Sequence, residues 1–101
     1  MPKYTYDVVL QTQLGYKPGK MTLTIGENNI CGVITILGYS MPCSGEIDSE
    51  EHYSLRGQLK TFMSVIDYSG TGYVDNQSVD FKLSDNKNCF HLFGTVCQSE
   101  V

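Results

Sequence analysis

The 101 residues predict an all-β fold, an eight-stranded antiparallel up-and-down barrel. Three observations predict it. Apolar and polar residues alternate with period two in one segment after another, the pattern of half-buried strands. Short clusters of Gly, Asn, Asp and Pro separate those segments and supply turns. Gly32, Gly57, Gly70, Gly72 and Gly94 fall inside strand patterns, where glycine weakens a flat sheet but lets strands coil toward closure. Closure also removes edge strands, which a two-sheet β-sandwich, the alternative, would expose.

Composition agrees. Seven Tyr and ten Gly against three Pro favour strands over helices. The 41% hydrophobic content is ordinary for a globular chain, and the length suits a single domain, residues 1–101, able to bury a core without disulfides or metal.

Taken in order, residues 4–13 form the first strand, with Tyr6, Val8, Leu10 and Thr12 on one face. Pro18-Gly19 reads as the following turn. Residues 20–25 form the second strand, with Met21, Leu23 and Ile25 inward. Gly26 and the Asn28-Asn29 pair turn the chain into a third strand, 30–37, led by Ile34 and Ile36. Residues 39–45 read as an irregular corner because Pro42 lacks a ladder donor. A short fourth strand, 45–48, carries Ile47 inward, and a charged turn leads to the fifth, 52–61, with Leu55, Gly57, Leu59 and Thr61 on one face. The phase slips near 62–64, as at a bulge. Strands follow at 65–74, with Ile66 and Tyr68 inward, at 78–83, and at 88–97, with Phe90, Leu92, Gly94 and Val96 sharing a face.

One hairpin recurs. Met21-Leu23-Ile25 aligns with Val79-Phe81-Leu83, Asn28 with Asn86, Cys31 with Cys89 and Ile34 with Leu92, at a constant offset of 58 residues. Hairpin geometry alone or duplication would account for this.

Parity separates the chemistry. Asp7, Lys20, Arg56, Lys60, Asp67, Asp80 and Lys82 all take the outward phase. An interior without carboxylate, His or Lys holds no general acid or base, which disfavours catalysis in the lumen. Two readings of the interior stay open. Large side chains fill the narrow lumen of an eight-stranded barrel, or they leave a partial cavity for a small hydrophobic ligand. In the second case the hydroxyls of Tyr6, Thr12, Thr61 and Tyr68 would orient the ligand, and Leu23, Ile34, Leu59, Phe81 and Leu92 would line the cavity.

An enzyme would have to work at the barrel mouth, from Cys43, Glu46, Glu50 or His52. Cys43, Asp48, Glu50 and His52 match no metal-ligand spacing, so neither a metal nor a cofactor is expected. Cys89 and His91 share a face but sit ~6.6 Å apart by strand rise, too far for a direct hydrogen bond. Residues 69–73, SGTGY, lie in a strand pattern without the helix and Lys of a phosphate loop.

Outside, Val9, Val33, Val65, Tyr73 and Phe93 interrupt the charged face. The first and last strands meet on closure, so Val9 and Phe93 would join one patch, suited to a homodimer. A net charge of −4 with scattered basic residues offers no nucleic-acid footprint. No CxxC pair exists, and Cys89 and Cys97 are ~26 Å apart along one strand, so reduced thiols are expected. The N-terminal residues lack an apolar signal core and no run is long enough to span a membrane, so a cytoplasmic protein without a membrane partner is expected.

The segments GVITILG, SLRGQLKT and FHLFGTV, set in eight meander strands, resemble shortened lipocalin or calycin-type barrels and small bacterial barrel proteins of that kind. The chain has no Trp and therefore lacks the lipocalin G-x-W signature. The resemblance implies non-catalytic binding of a small apolar molecule, and no catalytic residues carry over. An oligomeric interaction module with a filled barrel is the other expectation.

Overall fold

The structure, a computed structural model, describes residues 3–13, 15–60 and 64–100. Eight strands follow in order: β1 (Lys3–Thr12), β2 (Gly15–Ile25), β3 (Asn29–Ile36), β4 (Tyr39–Glu46), β5 (Tyr53–Lys60), β6 (Val65–Val74), β7 (Ser78–Ser84) and β8 (Cys89–Glu100). Each pairs antiparallel with the next, and β1 pairs with β8 to close an up-and-down barrel. That ladder excludes the sandwich.

Two local expectations are corrected. Pro18-Gly19 is not a turn: both residues lie inside β2, opposite Val9 and Val8. The reversal comes earlier, at Gly15, whose φ of 119° only glycine adopts easily. Pro18 is tolerated because the β2–β3 ladder begins one residue later, at Gly19. The corner at 39–45 is also a strand. Leu37 and Gly38, both at positive φ (59° and 82°), form a tight turn that sends β4 back along β3 with Pro42 opposite Val33. The fourth strand therefore ends at Glu46, and Ile47 keeps only an isolated bridge to Tyr53. The phase slip expected near 62–64 falls largely outside the described residues.

Inward side chains pack the lumen. Leu23, Ile34, Leu59, Phe81 and Leu92 are all buried, together with Val8, Met21, Leu55 and Leu83. Met41 and Cys43 join them, which the corner reading had missed. The seven outward charges of the sequence reading are all exposed, and among the described residues no charged side chain is buried. Lys17 departs from that parity. It sits opposite Leu10 in the inward register, near the start of β2, where a long stem can carry its charge toward solvent.

Three aspartates shape turns by the same device. Asp75 Oδ1 accepts from the Gln77 and Ser78 N–H groups (2.8 and 2.7 Å). Asp85 does so from Lys87 and Asn88, and Asp48 from Glu50 and His52. These backbone donors favour the ionised form and hold all three carboxyls below their usual range.

The repeated hairpins now have a geometric explanation. The 58-residue offset maps β2–β3 onto β7–β8, a shift of five strands. Duplication of a four-stranded half would shift by four and keep both turns at one end. Here the β2–β3 turn bonds the β4–β5 connection, Ile47 N–H to Asn28 O at 2.9 Å. An odd shift places the β7–β8 turn at the other end. The likeness follows from alternation and turn chemistry.

Glycine sets how tightly the wall coils. A Cβ on Gly94 would overlap the Asp7 carbonyl oxygen across the β1–β8 ladder. Gly94→Ala is expected to destabilise the protein by more than about 3 kcal/mol in urea unfolding, since the clash is with backbone that cannot rotate away.

Candidate functional site

The wall is uneven. Every neighbouring pair of strands except β4–β5 aligns six to ten residue pairs. Between β4 and β5, among the described residues, the ladder pairs only Cys43 with Gly57 and Ser44 with Arg56. Continuing that register would set Pro42 opposite Gln58 and Ser40 opposite Lys60, and neither pair forms.

Proline explains why the ladder stops on the Pro42 side, while at the other end the Ser54 hydroxyl takes the Glu46 N–H. In an antiparallel strand the N–H and C=O of one residue point to the same side. The Pro42 carbonyl faces β5, 3.0 Å from where a Cβ on Gly57 would stand. Its nitrogen therefore faces β5 as well, and has no hydrogen to give. One step further along, the Lys60 N–H donates to the Met41 thioether sulfur at 2.9 Å instead of to a β4 carbonyl. The strands splay from Pro42 to the end of β5.

A groove of about 600 Å³ occupies the splayed seam, a size within the usual range for small-molecule sites. Met41, Pro42, Cys43, Gly57 and Tyr68 form its depth, and Ser40, Ser44, Arg56, Gln58, Lys60 and Asp67 its rim. Inward and outward residues both line it, so the groove cuts into the wall instead of lying over it.

Tyr68 sits at the bottom. It pairs with Gly57 across β5–β6, and its phenol tip lies over that glycine, 2.8 Å from a Cβ placed there. The ring is 4% exposed, yet its hydroxyl has no hydrogen-bond partner. Burial raises its pKa, with the neighbouring Cys43 adding to the shift, so the hydroxyl stays protonated and able to donate. Burial likewise pushes the Cys43 thiol up to about 12, assisted by Cys31, and a thiol so held is a poor nucleophile.

The rim charges differ in commitment. Arg56 meets Glu46 at 3.2 Å, and Gln58 donates to Asp67 at 2.9 Å. Lys60 is exposed, with no ion-pair partner among the described residues.

The remaining hydroxyls singled out in the sequence lie elsewhere. Tyr6 is fully buried in the lumen and donates to the Asp75 carbonyl at 2.7 Å, which fastens the β6–β7 turn. Thr12 donates to the Gly15 carbonyl at the β1–β2 reversal. Thr61 lies outside the described residues. The structure thus brings neither Tyr6 nor Thr12 to Tyr68.

Nor are the mouth residues gathered. Cys43 faces inward, and Glu46 is engaged by Arg56. His52 belongs to the exposed β4–β5 connection, where its Nδ1 lies 3.4 Å from Asp48 and 3.8 Å from Glu50. Among the described residues no three His, Cys, Asp or Glu side chains are placed to hold a metal ion. On the opposite side of the barrel, His91 Nε2 meets Asp80 Oδ1 at 2.7 Å and its ring packs on Phe93.

The outward apolar residues divide. Val9 and Phe93 are direct cross-strand partners, and the same row runs from Tyr73 through Asp80, Phe93 and Val9 to Pro18. Val33 lies off that row, between Thr22 and Pro42, and Val65 pairs with Lys60.

No family model matches the chain, and no curated protein or solved structure matches it. Among the described residues no helix is long and apolar enough to cross a membrane.

The thiols give a test of this placement. Cys31, Cys89 and Cys97 are exposed and Cys43 is buried. Ellman's reagent at neutral pH is expected to titrate three thiols in the native protein and the fourth only after denaturation. Fast reaction of all four would contradict the buried position of Cys43.

Proposed function

We propose that this protein is a non-catalytic binding barrel, of the general lipocalin or calycin shape but with a filled lumen, that takes a small, mainly apolar molecule in the β4–β5 seam. What supports this reading is the unpartnered Tyr68 hydroxyl at the base of the groove. Leaving a buried hydroxyl without a partner costs about 1–3 kcal/mol, a cost that a ligand carrying one polar group would offset. The packed lumen favours the wall over the interior as the binding place. Met41, Pro42 and Cys43 then offer apolar contact, and Tyr68 fixes orientation.

A second reading rests on the outward row Tyr73, Phe93, Val9 and Pro18. The register aligns these apolar side chains across β6, β7, β8, β1 and β2, broken only by Asp80. It suits self-association through a two-fold contact, and it is compatible with a ligand on the opposite wall.

Tyr68→Phe separates a functional hydroxyl from a structural one. The variant is expected to gain about 1 kcal/mol in unfolding free energy, because it removes an unsatisfied buried group. It is also expected to lose the small-molecule adduct that native mass spectrometry finds on protein isolated from its own host. A loss of stability in Tyr68→Phe, or an adduct that survives the change, would count against the reading. The same spectra report a dimer if the outward row self-associates.

A further inference from the structure

We propose that the ligand of the β4–β5 seam is a small aromatic carboxylate, entering edge-on between the strands, with its anion held by the Lys60 ammonium and the Tyr68 hydroxyl. This rests on the seam being the binding site, and it adds the charge and shape of the ligand.

Charge follows from which rim groups remain uncommitted. Arg56 and Lys60 are the cations lining the groove, and Asp67 is the carboxylate. Arg56 is engaged by Glu46, and Asp67 accepts from Gln58. Lys60 is left with its charge unmatched among the described residues, at the end of the seam where β4 and β5 splay. The Tyr68 hydroxyl, buried and protonated, adds a second donor from below. Two donors lining one groove, one of them cationic, fit an acceptor that carries negative charge. The chain as a whole has a net charge of −4, so this rim runs against the general repulsion of anions.

Shape follows from the walls. The seam opens beyond the Cys43–Gly57 pair, where the ladder no longer joins the two strand backbones. A flat body slides between strands without forcing them further apart, whereas a globular one does not. The Pro42 ring and the Met41 thioether line the seam, and thioether sulfur packs favourably against aromatic rings. Gly57 leaves the room that the Tyr68 phenol fills, since an added Cβ would stand 2.8 Å from the Tyr68 hydroxyl oxygen and 3.0 Å from the Pro42 carbonyl oxygen.

The test is titration calorimetry on the full chain with three probes that share one ring system: 2-naphthoate, 2-naphthol and 2-naphthylmethylamine. 2-Naphthoate is expected to bind about tenfold more tightly than 2-naphthol, as hydrogen bonds to a charged group allow, and the amine more weakly still. Lys60→Met should weaken 2-naphthoate about tenfold while moving 2-naphthol by less than about twofold. Gly57→Ala should abolish binding of all three; if that variant does not fold, Tyr68→Phe takes its place. Equal binding of naphthoate and naphthol, unchanged in Lys60→Met but lost in Gly57→Ala, would overturn the anion and leave the seam as a site. Absence of binding by every probe, or binding indifferent to both Gly57→Ala and Tyr68→Phe, would overturn the seam itself.

Discussion

A closed antiparallel sheet has no spare edge, so every strand must offer donors and acceptors on both flanks. Pro42 cannot do so on the side facing β5. Elsewhere the barrel avoids this conflict: Pro18 stands where only β1 is alongside, before the β2–β3 ladder starts. At Pro42 both flanks are in demand, and on that side the ladder goes no further than Cys43–Gly57, with a backbone N–H bonded to sulfur beyond it. The groove lies along that interruption.

The rest of the wall makes the seam conspicuous. The β1–β8 closure and the other hairpins hold long registers, and inward glycines such as Gly94 let adjacent backbones approach more closely than any side chain would permit. Coiling this tight leaves a narrow lumen, which the aliphatic and aromatic side chains occupy. A small barrel with a filled interior cannot bind a guest in the manner of a wide one.

Much of this was legible in the residues. Alternation gave the number of strands and their facing, and parity sorted the charges outward and the large apolar side chains inward. Val9 and Phe93 were expected to meet from strand order alone, and they are direct partners. The seam was not legible for an instructive reason. Proline in a strand-like run argues for a break, so Met41 and Cys43 were assigned to a corner, although Met41, Cys43 and Gly45 alternate in the inward phase around Pro42. The same logic makes a turn of Pro18-Gly19, which lies inside β2. Both errors come from reading proline locally, when its tolerance depends on whether a partner strand lies on the side of its nitrogen. Tyr68 carries one of the hydroxyls the sequence singles out, but only the pairing with Gly57 reveals that this hydroxyl is buried over a glycine without a hydrogen-bond partner.

Amide hydrogen exchange followed by NMR tests the central claim, a wall opened at one seam by Pro42, most directly. Local opening well below the global unfolding free energy is expected to let the Lys60 amide, bonded to the Met41 sulfur, exchange far sooner than those of Val8 and Val9 in β1. Pro42→Val adds a donor for the Gln58 carbonyl, so the amide introduced at position 42 should be protected and Lys60 should slow. Uniform protection around the barrel, or an unprotected amide at position 42 with Lys60 unchanged, would contradict the claim.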